Sequence, residues 1–302
     1  MQFEPDDFDI ANKDYFIKEK NIDSKKTFSV KNLKGKPIFS CFILFSIVFS
    51  CLFFKKIINH NPTFMDLNNV NISPNKEFFF GTDSMGRDIF SMVFYGGRIS
   101  LFIGFVSTII STVIGVLYGT ISGLSNEFID NLMMRIVEII LSIPSILSII
   151  FIQGILGKNN AFYISIVIGI TSWMNIAKVV RSEVRQIKSS EYIIAAKIMG
   201  GNFFYVLSTH LLPNFIASIM FMVVTNIASA IATESTLSFL GIGLPIEIIS
   251  WGSMLSLSSK ALLSNYWWVI VIPGVFLVVT LVSIANIGDY LRRKSNKKFN
   301  NL

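Results

Sequence analysis

Six apolar runs divide this 302-residue chain, and no soluble domain has a use for so many. They cover residues 38–54, 99–124, 133–156, 162–180, 213–233 and 266–287, and only Arg135, Glu138 and Lys178 bring charge into them. A bilayer core about 30 Å thick is crossed by about 20 helical residues, with a working range of roughly 17–25. Each run fits that range to within one residue. A transmembrane β-barrel would instead alternate apolar and polar residues in pieces of about ten. The expectation is an all-α membrane protein with six transmembrane helices. Thirty-seven residues precede the first run and no small-residue cleavage site follows it. It is therefore expected to remain as a span and not to be removed as a signal peptide.

Composition narrows the function. Charged residues are 15% of the chain and hydrophobic ones 52%, where a soluble domain has about 25% charged. An intrinsically disordered chain is excluded by the apolar content. Cys41 and Cys51 lie ten residues apart in one apolar run, too far apart on a helix to bridge. The only histidines, His60 and His210, are remote from one another in sequence. No metal site is expected, and no cluster of nucleophile, base and acid marks a catalytic centre. The formal charge of +7 is assigned to membrane-flanking loops, with no nucleic acid as partner.

Those basic residues set the expected orientation. Residues 1–37, the stretch after the fourth run and the C-terminal tail fall on one side of a six-span chain. With Arg135, that side carries 19 of the 26 Lys and Arg residues. Positive loops stay inside, so both termini are expected to be cytoplasmic. The chain divides into a cytoplasmic N-terminal arm (1–37) ending in a basic membrane-surface anchor, a transmembrane domain (38–290) with a cytoplasmic loop at 181–212, and a basic cytoplasmic tail (291–302).

Several local patterns stand out. In the outer segment 55–98, Asp83 is placed to cap a short helix lying along the interface, with Ile89, Phe90, Val93 and Phe94 on its apolar face and Arg98 at the mouth of the second span. Ser111, Gly115, Gly119 and Gly123 recur every four residues in that span, a flat stripe for close helix packing. Pro144 and Pro273 lie inside the third and sixth runs, where proline frees a carbonyl and tends to kink a helix. The 181–212 loop is long for a connection, and such loops are usually functional. In it Ser190 is a candidate N-cap, Glu191 favours the positive helix end, and Gly200 and Gly201 form a stop. A second short helix, 203–210, is expected before Pro213 opens the fifth span. Gln153, Asn175, Asn226, Thr233 and Glu234 are the candidate path-lining residues. The competing readings are helix-to-helix hydrogen bonds for the amides and a solvated span end for Glu234.

The loop resembles the cytoplasmic signature of ABC-importer permeases, in which Glu-Ala-Ala is followed by three residues, Gly, nine residues, Ile, any residue and Leu-Pro. Ala195, Ala196, Gly200, Leu212 and Pro213 fall at those positions. Ile194 stands at the usual Glu and His210 at the usual Ile, while Glu191 lies one helical turn earlier. Three further elements resemble the second permease subunit of dipeptide, oligopeptide and nickel importers. Gly81, Thr82, Asp83, Gly86, Arg87 and Asp88 match its outer motif. Residues 234–243 with 250–255 are similar to its outer loop, and Gly288, Asp289, Leu291 and Arg292 to its C-terminal end. The resemblance runs in order through residues 38–293.

This resemblance implies the type I ABC-importer permease fold in a bacterial cell membrane, and half of a translocation path for dipeptides or oligopeptides. It also implies a homologous second permease, two ABC ATPase subunits and an extracytoplasmic substrate-binding protein as partners. The chain has no Gly-x-x-x-x-Gly-Lys-Ser/Thr element. ATP and Mg are therefore assigned to the ATPases, and the chain itself is expected to be no enzyme. Glu191, Ala195, Ala196, Gly200, His210, Leu212 and Pro213 would be the ATPase-coupling residues. A nickel importer of the same family remains an alternative, as does a secondary transporter working without ATP, although the mid-span regions carry few of the charges such a transporter uses.

Overall fold

The computed structural model describes residues 37–58, 60–157, 160–245, 247–257 and 266–299. The arm proposed for residues 1–37 lies almost wholly outside them, as do residues 300–302 of the tail. Among the described residues the chain is helical apart from turns and one isolated β-bridge, Thr82 to Asp88.

Helix α1 (Ile38–Leu52) is followed by the short α2 (Phe54–Ile57). A looped segment then leads to α3 (Ile89–Leu124), whose 36 residues make a rod about 54 Å long. Helix α4 (Glu127–Leu141) and α5 (Ser145–Leu156) form one bent pair, and α6 (Ala161–Ser172) and α7 (Met174–Ile187) another. Helix α8 (Glu191–Ile198) and α9 (Phe203–Tyr205) follow. A π-helical turn (Val206–Leu211) then joins α9 to α10 (Leu212–Phe239). A short α11 (Trp251–Leu257) precedes α12 (Trp268–Phe299). Three rods are long and apolar enough to cross a membrane: 89–124, 203–239 and 268–294. The two bent pairs qualify if each is one span, and α1 is a shorter apolar helix.

Helix α3 is the axis of the bundle and packs against α7, α6 and α10, with α1 on another side. Its small-residue stripe sets how closely α7 can come. A Cβ at Gly119 would stand 2.5 Å from the Ala177 carbonyl oxygen. At Gly115 it would stand 2.8 Å from Ile176 Cβ, and at Gly123 2.8 Å from Val184 Cβ. The stripe therefore packs a helix, as its spacing predicts. Ser111, the fourth member, accepts a 2.6 Å hydrogen bond from Asn226 Nδ2 of α10.

Several local expectations change. Asp88, not Asp83, caps the helix, accepting from the Phe90 and Ser91 N–H groups. No separate interfacial helix forms, because Ile89, Val93 and Phe94 are buried in the first turns of α3 itself. Pro144 breaks its run, with an 87° bend between α4 and α5, whereas Pro273 sits within continuous α12. The break before the fifth span is absent: 203–239 is one rod. Leu212 N–H donates five residues back to Leu207 O. This widened turn lies just before Pro213, whose ring clashes with a regular ladder. Ser190 meets the start of α8 through its carbonyl, which accepts from the Ile193 and Ile194 N–H groups, while its hydroxyl donates to Ile187 O at 2.6 Å.

The seam gives a direct test. Gly119→Ala is expected to cost about 1–3 kcal/mol, because a backbone oxygen at 2.5 Å has little room to retreat. Gly154, with nothing within 4 Å of an added Cβ, should accept alanine without loss. Thermal melting of the two detergent-purified variants checks the contrast, and equal melting temperatures would sink it.

Candidate functional site

At one end of the bundle the chain turns through α8 and a glycine corner. Gly200 adopts φ +82°, a left-handed conformation that ends the helix, and Gly201 N–H returns to Ala196 O at 2.9 Å. Asn202 restarts the helix by accepting from Tyr205 N–H at 2.8 Å. The inner face of α8 presents Ile193 and Ala196 to a core of Val184, Val206, Leu211 and Phe215. The outer face leaves Ile198 and Met199 more than four-fifths exposed. Between α8 and the π-helical turn lies a cavity of about 520 Å³, lined by Tyr192, Ala195, Ala196, Gly200, Tyr205 and His210 among others. The structure thus brings Ala195, Ala196, Gly200 and His210 together. Glu191 is exposed outside this lining, Leu212 packs partly behind it, and Pro213 is exposed.

The Gly81–Asp88 motif builds a tight knot at the start of α3. Asp83 accepts from the Met85 and Arg87 N–H groups at 2.9 Å and from Arg87 Nε at 2.8 Å. Both side chains of that ion pair are buried. The Thr82 hydroxyl accepts from Ile72 N–H and donates to Asn69 O, while the Thr82 carbonyl accepts from Trp268 Nε1 of α12. Gly81 and Gly86 have φ of +74° and +72°. A Cβ at Gly86 would stand 1.8 Å from the Asp66 carbonyl oxygen, so only glycine fits there. The contacts of this motif join α3, α12 and the preceding loop.

The path-lining candidates separate. Asn175, Asn226 and Thr233 line one cavity of about 970 Å³, together with Ser145, Ser148 and Ser229 and an apolar wall from α4–α6. Gln153 is buried elsewhere, with neither side-chain polar atom hydrogen-bonded. Glu234 is fully buried rather than solvated. Its Oε1 accepts from Ser250 Oγ at 2.7 Å and Ser238 Oγ at 2.8 Å, and its Oε2 from Ser100 and Ser235 at 3.3 and 3.4 Å. The Trp251 indole N–H donates to Val93 O at 3.0 Å. Together these bonds fasten α11 to α3 and α10.

Sequence reasoning missed one cluster. Asp130 of α4 is buried and accepts from Arg181 Nε at 2.7 Å, Arg181 Nη2 at 2.6 Å, Arg185 Nη1 at 2.9 Å and the Ser122 hydroxyl. The two arginines look like loop charges by count alone. Their spacing of four places them on one helix face, and that was the available signal. Among the described residues, no group of three or more His, Cys, Asp or Glu is disposed to hold a metal ion.

The family model described as binding-protein-dependent transport system inner membrane component matches residues 112–297. The dipeptide transport system permease protein DppC of Bacillus subtilis (strain 168) is 36% identical over 233 residues, 77% of this chain and 72% of that protein. The oligopeptide transport system permease protein OppC of the same organism is 36% identical over 250 residues, 83% of this chain and 81% of that protein. Among solved structures, a chain of the methionine ABC transporter MetNI in an inward-facing crystal form shares the fold. Its TM-score is 0.53 at 19% identity, covering 68% of this chain and 96% of that one.

The Asp130 cluster carries its own prediction. Removing one partner of a buried ion pair typically costs about 3–5 kcal/mol, but Arg181 keeps 25% of its side chain accessible. Asp130→Ala is therefore expected to cost about 2 kcal/mol. Arg135→Ala breaks only the exposed pair with Glu138 and should change stability by less than about 1 kcal/mol. Chemical denaturation of both variants in detergent reads the difference.

Proposed function

The chain belongs to the family of binding-protein-dependent transport system inner membrane components, and on that premise we propose that it is the second permease subunit of a peptide ABC importer. The observation that carries the peptide reading is its 36% identity to permeases named for dipeptide and oligopeptide transport, across most of both chains. The chain is no enzyme. In this reading it sits in a bacterial inner membrane as six spans with both termini cytoplasmic. The spans are α1, α3, the bent pairs α4–α5 and α6–α7, the 203–239 rod and α12. The charge bias of the loops supports that orientation. A homologous permease completes the path, two ATPase subunits bind ATP and Mg, and an extracytoplasmic protein delivers the peptide.

The proposed mechanism follows from rigidity. Helix α8 is the part an ATPase would grip, through exposed Ile198 and Met199 and the smooth groove at Ala195 and Gly200. Its buried face is continuous with α7 and with the 203–239 rod through Ile193, Val184, Leu211 and Phe215. A displacement of α8 therefore moves two spanning elements together. The cavity at Asn175, Asn226 and Thr233 lies between elements of that same group. Nucleotide would bias a two-state bundle through this lever, and the loaded binding protein would bias it from outside. The absence of a Glu at position 194 leaves an exposed isoleucine there, so apolar contact would provide the grip.

Two experiments test the reading. Ala195→Trp, which fills the groove, should abolish peptide uptake and ATPase co-purification at normal membrane levels, as should Gly200→Trp. Full uptake by both would refute the coupling role. In a background with Cys41 and Cys51 replaced, Asn226→Cys and Thr233→Cys should react with a soluble maleimide and be protected by transported peptide. Gln153→Cys, at a buried position, should not react.

A further inference from the structure

Among the described residues, Arg98 is the one charged side chain lining an otherwise apolar groove, and nothing in the transport reading uses it. The groove has a volume of about 930 Å³ and is walled by α1, α3, α10, α12 and the start of α6, with Leu44, Leu52, Phe102, Phe105, Ala161 and Ile227 among its lining residues. Such a volume falls within the range of small-molecule sites, roughly 300–1,000 Å³. On α1 the lining runs from Leu44 to Leu52, about 12 Å of groove at the helical rise. It borders the side of the bundle where Phe102 and Phe105 are exposed.

The guanidinium lies 4.9 Å from the Phe54 ring centroid and 5.5 Å from that of Tyr95. These aromatic faces hold the cation in place without neutralising it. The ion pairs among the described residues do not include Arg98. Arg98 is the tenth residue of α3, and the α2 turn that supplies Phe54 also carries the exposed pair Lys55 and Lys56. A cation with no carboxylate partner is costly inside a membrane protein unless it meets water or a counter-anion.

We propose that this groove binds one anionic phospholipid, with its phosphate on Arg98 and an acyl chain lying between α1, α3, α10 and α12. Charge complementarity commits the site to this occupant. A partner helix would fill the apolar walls but would leave the guanidinium without an anion. A free phosphate would meet the cation but not the walls. An arginine fork matches phosphate oxygens in two-pronged fashion, and the lysines nearby add positive charge for an anionic headgroup. The lipid would serve as a filler that fixes the spacing of α1 against α3 and α10.

Native mass spectrometry of the full chain, purified with its co-purifying partners in mild detergent, tests the proposal. Wild type should retain about one phosphatidylglycerol or other anionic phospholipid per chain. After delipidation, added phosphatidylglycerol should bind at least several-fold better than phosphatidylcholine. Arg98→Gln should remove that preference and Arg98→Lys should restore part of it. Ala161→Trp, which fills the groove, should reduce binding of both lipids. Monodisperse elution of each variant shows that it is folded. Equal retention of anionic lipid by wild type, Arg98→Gln and Ala161→Trp would overturn the proposal. So would efficient photo-crosslinking to a partner subunit from a benzophenone side chain placed at position 102, which would mean that protein covers the groove.

Discussion

The approach of α7 to α3 is the contact on which the bundle depends. Lipid tails are as apolar as the side chains they meet, so burying apolar surface does not draw helices together inside a membrane. Close packing must supply the attraction instead. Gly115, Gly119 and Gly123 remove three side chains from the C-terminal third of α3, and the α7 backbone occupies the vacated strip. Because α7 continues toward α8, this close approach also fixes where the exposed corner at Gly200 projects. Helix α3 meets α10 in the same manner, with a Cβ at Gly104 placed 2.6 Å from Ile231 Cγ1.

A second constraint shapes the polar residues. Backbone and side-chain polar groups buried in such a bundle need partners within the protein. Glu234 has four serine hydroxyls around it, and Asp130 has two arginines and a serine. The two clusters are formed from different helices at separate places along α3: Ser100 belongs to one and Ser122 to the other. Each ties a broken or short element to a continuous one, α11 in the first case and α4 in the second. The widened turn at Val206–Leu211 has a related role. It lets Pro213 sit inside a rod rather than end one, so the corner near α8 stays mechanically joined to a spanning helix.

Much of the candidate site was legible from spacing. Ala195, Ala196, Gly200 and His210 share one groove because the chain between them is short and the glycine forces the turn. The outer motif was legible as a unit, but the capping role was given to Asp83 when Asp88 holds it. Both are acids before an apolar run, and only the hydrogen bonds distinguish them. The polar span residues were the least legible. Asn226 and Thr233 face a cavity while Glu234, one residue from Thr233, is sealed among serines. Adjacent helical positions point about 100° apart, and a list of polar residues does not say which face is wet.

By itself, the sequence determined that the chain is helical and membrane-borne. Apolar runs of that length cannot be hidden in water, and lipid accepts only backbones that satisfy their own hydrogen bonds. It also determined the small-residue seam and the glycine corner, which depend on local spacing. The tertiary structure alone decided how Pro144, Pro213 and Pro273 differ, as a break, a widened turn and an uninterrupted helix. Each outcome depends on what surrounds the freed carbonyl. It alone decided that Asp130 meets Arg181, 51 positions away, and that Ser100 meets Glu234, 134 positions away. Such pairings arise from the packing angles of whole helices, which no local pattern encodes.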